Sequence, residues 1–207
     1  MHPAVTKLVV LDRDGTLNQD RDDFVKSAPE WQPIPGALEA VARLNQAGWH
    51  TVVATNQSGL GRGLFDTAAL NAMHLKMNQL LARVGGRIDA VFFCPHTPAD
   101  ACDCRKPQPG LLLQIAERFA LKPTDLVVVG DSLRDLQAAQ AVGSQAHLVR
   151  TGKSEGLSQE SEASYVQKLP GLRVHNDLAA FAEYLIAAER QVAAGSGHAE
   201  SAYGSFR

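Results

Sequence analysis

Short apolar runs rich in β-branched residues recur along the chain, with helix-period segments between them. The runs are "KLVVLD" (7–12), "HTVVATN" (50–56), "DAVFFC" (89–94), "DLVVVGD" (125–131) and "AHLVR" (146–150). Each is short and nearly continuous in apolar character, the pattern of a strand buried on both faces of a parallel sheet. Between the first two, "PGALEAVARLNQAG" places Leu38, Val41, Ala42 and Leu44 on one helical face and stops at Gly48. "DTAALNAMHLKMNQLLARVGG" opens at an N-cap, Asp66, and carries a stripe of Leu70, Met73, Met77, Leu80, Leu81 and Val84 that reads as core packing. "GLLLQIAERFALK" and "SLRDLQAAQAVG" complete the alternation. This order predicts an open, doubly wound α/β sheet, mostly parallel, with helices on both faces. Residues 152–170 are polar and read as a loop. "LAAFAEYLIAAERQVA" reads as a closing helix, and residues 191–207 as a flexible tail behind a single domain spanning 1–190.

Composition narrows the function classes. At 207 residues, 45% hydrophobic and 20% charged, the chain can bury one sizeable core. A net charge of −2 gives no basic field for nucleic acid. No run reaches the ~18–20 apolar residues of a membrane span. The N-terminus enters the first strand almost directly, without the basic n-region or cleavage site of a secretion signal, so a cytoplasmic protein is expected. No extra interface element is evident, which favours a monomer.

Chemistry concentrates where the strands end. In open α/β sheets ligands bind at the carboxyl ends of the strands, at the switch in strand order. Here the first strand ends "LDRDGT", the second "TNQSG" and the fourth "GDSLRD". Asp12 and Asp14, one residue apart on extended backbone, point to the same side, and two such carboxylates repel unless a cation or a proton lies between them. A bare DxD pair is most simply an acidic turn. The following Gly15, which permits a sharp turn, Thr16, which can hydrogen-bond the loop, and the additional Asp131 and Asp135 weaken that reading.

"LDRDGTLN" resembles the nucleophile loop of the haloacid-dehalogenase-like phosphatases, and Thr55, Lys106 and "GDSLRD" follow in the order of that family's later motifs. The resemblance spans about residues 7–150 and implies a Rossmann-like fold and phosphomonoester hydrolysis. Such esters resist attack because their anionic oxygens repel a nucleophile, so catalysis must neutralise charge and hold an in-line geometry. By the resemblance, Asp12 attacks phosphorus to form an aspartyl-phosphate, and Asp14 is the general acid and base. Thr55 and Lys106 bind the non-bridging oxygens. Mg²⁺ is held by the Asp12 side chain, the Asp14 carbonyl and Asp131.

All three cysteines lie in "FFCPHTPADACDCRKPQPG" (92–110). An odd, tightly clustered set is a poor disulfide framework and a better metal site. Cys94, His96, Cys102 and Cys104 supply four soft or borderline ligands, which suits a closed tetrahedral Zn²⁺ site with no position left for water or substrate. A zinc loop after the third strand resembles that of the D-glycero-D-manno-heptose 1,7-bisphosphate 7-phosphatases, with the related histidinol-phosphate phosphatases as the alternative. In both groups the zinc is structural. The spacer between His96 and Cys102 is shorter than in some heptose enzymes. The resemblance implies removal of the C7 phosphate of a heptose bisphosphate in lipopolysaccharide-core synthesis. A non-catalytic binding module on the same fold is a more distant alternative, disfavoured by the intact Asp12, Asp14, Lys106 and Asp131 set.

Neither the gap after the catalytic loop, "NQDRDDFVKSAPEWQPIPG", nor the single helix between the second and third strands can hold a folded cap. An open cleft walled by short loops is expected. By the resemblance, Asp20, Arg21, Asp22, Asp23, Asn56, Gln57 and Ser58 line a small sugar-phosphate substrate. Arg105, next to Lys106, could form a bidentate contact with a second phosphate or another anionic group of the substrate. The glycines of "GLGRG" (59–63) read as a tight, mobile loop.

Overall fold

The computed structural model describes residues 6–197 of the chain. Six parallel strands form one sheet in the order β3-β2-β1-β4-β5-β6. They are β1 (Leu8–Leu11), β2 (His50–Asn56), β3 (Ala90–Cys94), β4 (Val127–Gly130), β5 (Gln145–Val149) and β6 (Arg173–His175). Strand β1 lies between β2, paired from Leu8↔His50 to Leu11↔Val53, and β4, paired from Val9↔Val127 to Leu11↔Val129. Successive side chains of a strand face opposite sides of the sheet, which separates two cores. Val9, Leu11, Val53, Val127 and Val129 face α1 (Ala37–Gln46), α3 (Thr67–Arg83) and α7 (Leu178–Gly197), where Leu44, Leu70, Met77 and Phe181 are fully buried. Leu8, Val10, Val52, Ala54 and Val128 face α4 (Gly110–Arg118) and α5 (Leu133–Ala141). The expected stripe on α3 is buried at Leu70, Met73, Met77 and Leu81, and the Asp66 side chain accepts the Ala69 N–H as its N-cap.

Several local expectations change. Within the polar stretch 152–170, residues Gln159–Lys168 form a helix, α6, capped by Ser158, whose side chain accepts the Ser161 N–H. No residue of α6 is buried, so it presents no apolar stripe to read from sequence. Strand β6 is only three residues long and only its His175 is buried. Part of "GLGRG" is a single helical turn, α2 (Ser58–Gly61), tied to the third strand's end by the Gly61 N–H on the Pro95 carbonyl at 3.1 Å. Helix α7 continues to Gly197, into the stretch expected as a tail, and residues 198–207 lie outside the described part.

Candidate active site and metal centres

Strand order reverses between β1 and β4, and the acidic side chains gather at their carboxyl ends. Leaving β1, the chain turns through Gly15 with φ +89°, a left-handed conformation that any side chain would strain. The loop is tied by its backbone: the N–H groups of Thr16, Leu17 and Asn18 all donate to the Arg13 carbonyl. The Thr16 hydroxyl, expected to do this, has no hydrogen-bond partner among the described residues. A Cβ on Gly15 or on Gly152 (φ +55°) would collide with the Asp131 carboxylate, so that carboxylate is wedged between two glycines. The turn after β5 fastens it there. The Lys153 N–H donates to Asp131 Oδ2 at 2.6 Å, the Ser154 hydroxyl to the Asp131 carbonyl at 2.5 Å, and the Thr151 hydroxyl to the Gly15 carbonyl at 2.6 Å.

Lys106 enters the same centre from the loop before α4. The residue is only 4% exposed, and its ammonium reaches Asp12 Oδ1 at 2.7 Å, Asp135 Oδ1 at 2.5 Å and the Ala54 carbonyl at 2.7 Å. Asn56 at the end of β2 fixes the Lys106 backbone, accepting its N–H and donating to its carbonyl, both at 3.0 Å. Asp135 has two roles. It completes the cap of α5 by accepting from the Ser132 N–H and hydroxyl, and it helps hold Lys106.

Oxygens of Asp12, Asp131 and Asp135 lie within 4.8 Å of one another. Burial pushes the Asp131 carboxyl up to about 9, reinforced by the charges of Asp12 and Asp135. Burial also raises Asp12 to about 6, although the adjacent Lys106 ammonium opposes the rise. A hard cation between Asp12 and Asp131 would remove this repulsion, and an all-oxygen acidic set suits Mg²⁺. Asp135 spends both oxygens on Lys106 and Ser132, whereas Asp12 and Asp131 each keep one oxygen without a hydrogen-bond partner among the described residues.

The Asp14 side chain stands outside that cluster. The fully buried Arg13 guanidinium donates to both its oxygens at 3.0 Å, Asn18 Nδ2 to Oδ1 at 2.9 Å, and Gln57 Nε2 to Oδ2 at 2.7 Å. Burial, and then the charge of Arg13, hold His74 down at about 4, so its neutral ring accepts from Arg13 Nη1 at 3.3 Å. Gln57 also donates to the Thr55 hydroxyl at 2.9 Å, joining Thr55 to Asp14.

Above these groups lies a cleft of about 220 Å³, whose walls include Asp20, Arg21, Asp22, Phe24, Ser58 and Arg105. Asp23 is not among its lining residues and pairs with Arg21 and Lys26. Asn56 and Gln57 reach the cleft but spend their amides on Lys106, Thr55 and Asp14. Two cations absent from the sequence reading also line it, Arg134 and Lys153. Both follow a strand end closely, Arg134 inside "GDSLRD" and Lys153 in "TGKS", and that position was the available signal. Burial lowers Arg105 below its usual value, the like charge of Arg134 adds to the effect, and both arginines line the cleft.

The cysteine cluster lies beside the cleft. Cys94 closes β3 and is buried with Cys104 against Leu111 and Leu112 of α4. The sulfur–sulfur separations are 3.2–3.6 Å, and His96 Nδ1 lies 3.6 Å from Cys94 and 3.3 Å from Cys104. A tetrahedron with Zn–S bonds of ~2.3 Å has edges of roughly 3.6–3.8 Å, so the four ligand atoms are gathered at about the spacing zinc requires. Burial, aided by the two neighbouring thiols, pushes Cys104 up to about 12. Burial opposes ionisation of Cys102 as well, but the Arg105 N–H and the adjoining thiols bring it to about 7. Three thiols in this space cannot all ionise without a cation, and Zn²⁺ fits. Thr97 and Asp100 brace the outer loop through bonds at 2.6 and 2.8 Å, and Arg105 Nη1 donates to the His96 carbonyl at 3.2 Å.

A family model described as HAD-hydrolase-like matches residues 103–180. The chain is 54% identical over 181 residues to a D-glycero-β-D-manno-heptose-1,7-bisphosphate 7-phosphatase of Bordetella bronchiseptica, covering 87% of this chain and 98% of the relative. It is 48% identical over 180 residues to the Pseudomonas aeruginosa protein of that name, covering 86% and 97%. Among solved structures it resembles a B. bronchiseptica D,D-heptose 1,7-bisphosphate phosphatase complexed with magnesium and phosphate (TM-score 0.81, 54% identity, 87% and 98% coverage). It also resembles the Burkholderia thailandensis D,D-heptose 1,7-bisphosphate phosphatase (TM-score 0.67, 52% identity, 87% and 99% coverage).

Proposed function

The chain belongs to the D-glycero-β-D-manno-heptose-1,7-bisphosphate 7-phosphatase family of HAD-like hydrolases, and from that premise we propose that it removes the C7 phosphate of D-glycero-β-D-manno-heptose 1,7-bisphosphate. The observation that carries the chemistry is the Asp12–Lys106–Asp135 chain beside Asp131 at the β1–β4 switch. Asp12 is the nucleophile. Lys106 holds its Oδ1 and leaves Oδ2 without a protein hydrogen bond among the described residues. Attack at phosphorus gives an aspartyl-phosphate and expels the sugar alkoxide, which Asp14 protonates; Asp14 then takes a proton from the water that cleaves the intermediate. Lys106 and the Thr55 hydroxyl stabilise the non-bridging oxygens. Bound Mg²⁺, held by Asp12, Asp131 and the Asp14 carbonyl, supplies charge neutralisation at the phosphoryl group. Zn²⁺ on Cys94, His96, Cys102 and Cys104 is structural and aims Arg105 and Lys106.

Substrate selection rests on the open cleft. Asp20, Arg21, Asp22 and Ser58 face the sugar, while Arg105 with Arg134 receives the phosphate that is retained. Paired guanidiniums suit a bisphosphate better than histidinol phosphate, which carries one phosphate that the catalytic centre already occupies. All these groups come from one chain, which supports a monomer with a single domain over residues 1–190. A three-thiol site suits the reducing cytoplasm, and no described helix is long and apolar enough to cross a membrane.

Phosphorus NMR of heptose 1,7-bisphosphate incubated with protein and Mg²⁺ tests the proposal, with histidinol phosphate in parallel and Asp12→Asn as control. The C7 resonance should give way to inorganic phosphate while the C1 resonance persists, and Asp12→Asn should be inert. Loss of C1 phosphate, preference for histidinol phosphate, or an active Asp12→Asn would overturn it.

A further inference from the structure

Lys153 joins two parts of the cleft that are remote in sequence. Its backbone N–H holds the Asp131 carboxylate at 2.6 Å. Its ammonium bridges Asp20 and Asp22 of the loop that follows β1, at 3.0 Å from each. The turn beneath it cannot yield easily, because Thr151 and Ser154 bond the Gly15 and Asp131 carbonyls and Gly152 packs against that carboxylate. Asp22 is fully exposed and Asp20 has a side-chain exposure of 20%, whereas the Lys153 ammonium extends from a turn fixed to the metal centre. Without that cation, two carboxylates would face a substrate that carries phosphates, and like charges in a cleft repel.

We propose that Lys153 is a positioning residue for substrate selection: its ammonium fixes and neutralises the Asp20–Asp22 wall, and its amide anchors that wall to the Asp131 centre. The two halves of the residue are separable by substitution, since Lys153→Met removes the ammonium and keeps the amide. The inference rests on the sugar-phosphate reading above.

The experiment compares wild type, Lys153→Met and Lys153→Arg on heptose 1,7-bisphosphate and on p-nitrophenyl phosphate, which reaches the catalytic centre without a sugar to recognise. Ion pairs at the surface are individually weak, so the joint loss of these two corresponds to roughly a fivefold effect. Lys153→Met should raise KM for the bisphosphate about fivefold, with a smaller change in kcat. It should lower selectivity for the bisphosphate over p-nitrophenyl phosphate by a similar factor, and Lys153→Arg should recover most of the loss. A purely structural role would depress kcat on both substrates together, and that outcome, or unchanged selectivity in Lys153→Met, overturns the inference. If wild type does not turn over the bisphosphate, it is the sugar-phosphate reading that fails. A flat response from an active wild type counts against Lys153 alone.

Discussion

Replacing Lys106 by methionine isolates the cost of the buried acidic centre. Lys106 is almost fully buried and, among the described residues, is the one cation in contact with both Asp12 and Asp135. Methionine fills a similar volume but leaves two carboxylates without a counter-charge, beside a third. Breaking a buried ion pair from one side costs about 3–5 kcal/mol. For a chain of this size that corresponds to a fall in Tm of roughly 6–20 °C. The pH dependence follows from the raised carboxyls. A carboxyl whose folded pKa lies above its unfolded value favours the fold fully below the unfolded value, and that contribution is lost as pH rises through the folded pKa. With Asp12 at about 6 and Asp131 at about 9 even in the presence of Lys106, the variant's deficit should be large at pH 8 and small near pH 5. Urea unfolding at both pH values, without divalent ions and again with Mg²⁺, measures this. Mg²⁺ should restore part of the loss by replacing the missing charge, while turnover stays depressed by about 10²–10³-fold for want of the oxyanion donor. A variant as stable as wild type at pH 8 without metal, or equally destabilised at both pH values, would refute the electrostatic account of this centre.

The two metals should respond differently. Because Asp131 holds its proton up to about 9, Mg²⁺ binding at neutral pH should release roughly one proton and tighten about tenfold per pH unit below that value. Calorimetry in buffers of different ionisation enthalpy reads the release directly, and an identical heat in all of them would contradict it. Cys104→Ser should lose zinc and several kcal/mol of stability together, since Cys104 contacts every other ligand of the set and belongs to the core under α4. Metal analysis alongside thermal denaturation checks this; a zinc-free protein with the wild-type Tm would show that the metal does not hold the loop.

Sheet and acidic loop were legible because their signals are local. An apolar run of five residues and two aspartates one residue apart report on neighbouring positions, as do three thiols gathered in a single loop. What escaped depends on distance across the fold. Asp135 could be read as a helix cap, but its grip on Lys106 exists only because the fold brings the loop before α4 to the end of β4. Gln57 looked like a sugar contact, since nothing in "TNQSG" reveals that its amide turns back to Thr55 and Asp14. Lys153 sits in a stretch read as featureless. Helix α6 has no buried side chain to set a period, and β6, with its single buried residue, resembles any loop. Asp23 shows the converse: the family resemblance placed it with Asp20 and Asp22, while its pairing with Arg21 and Lys26 takes it out of the cleft.

The sheet order has a consequence for the chain as it is made. Asp12 emerges early, with β1 and β2 close behind, yet the neighbour of β1 on its other side is β4, and the turn that clasps Asp131 comes later still, at Thr151–Ser154. A ribosome-bound chain that has released only its first half carries three of the strands and the nucleophile, but lacks Asp131, with which Asp12 would share a cation. Magnesium affinity is therefore acquired only after Asp131 and the turn that clasps it have been made, and it reports that both halves of the sheet have met.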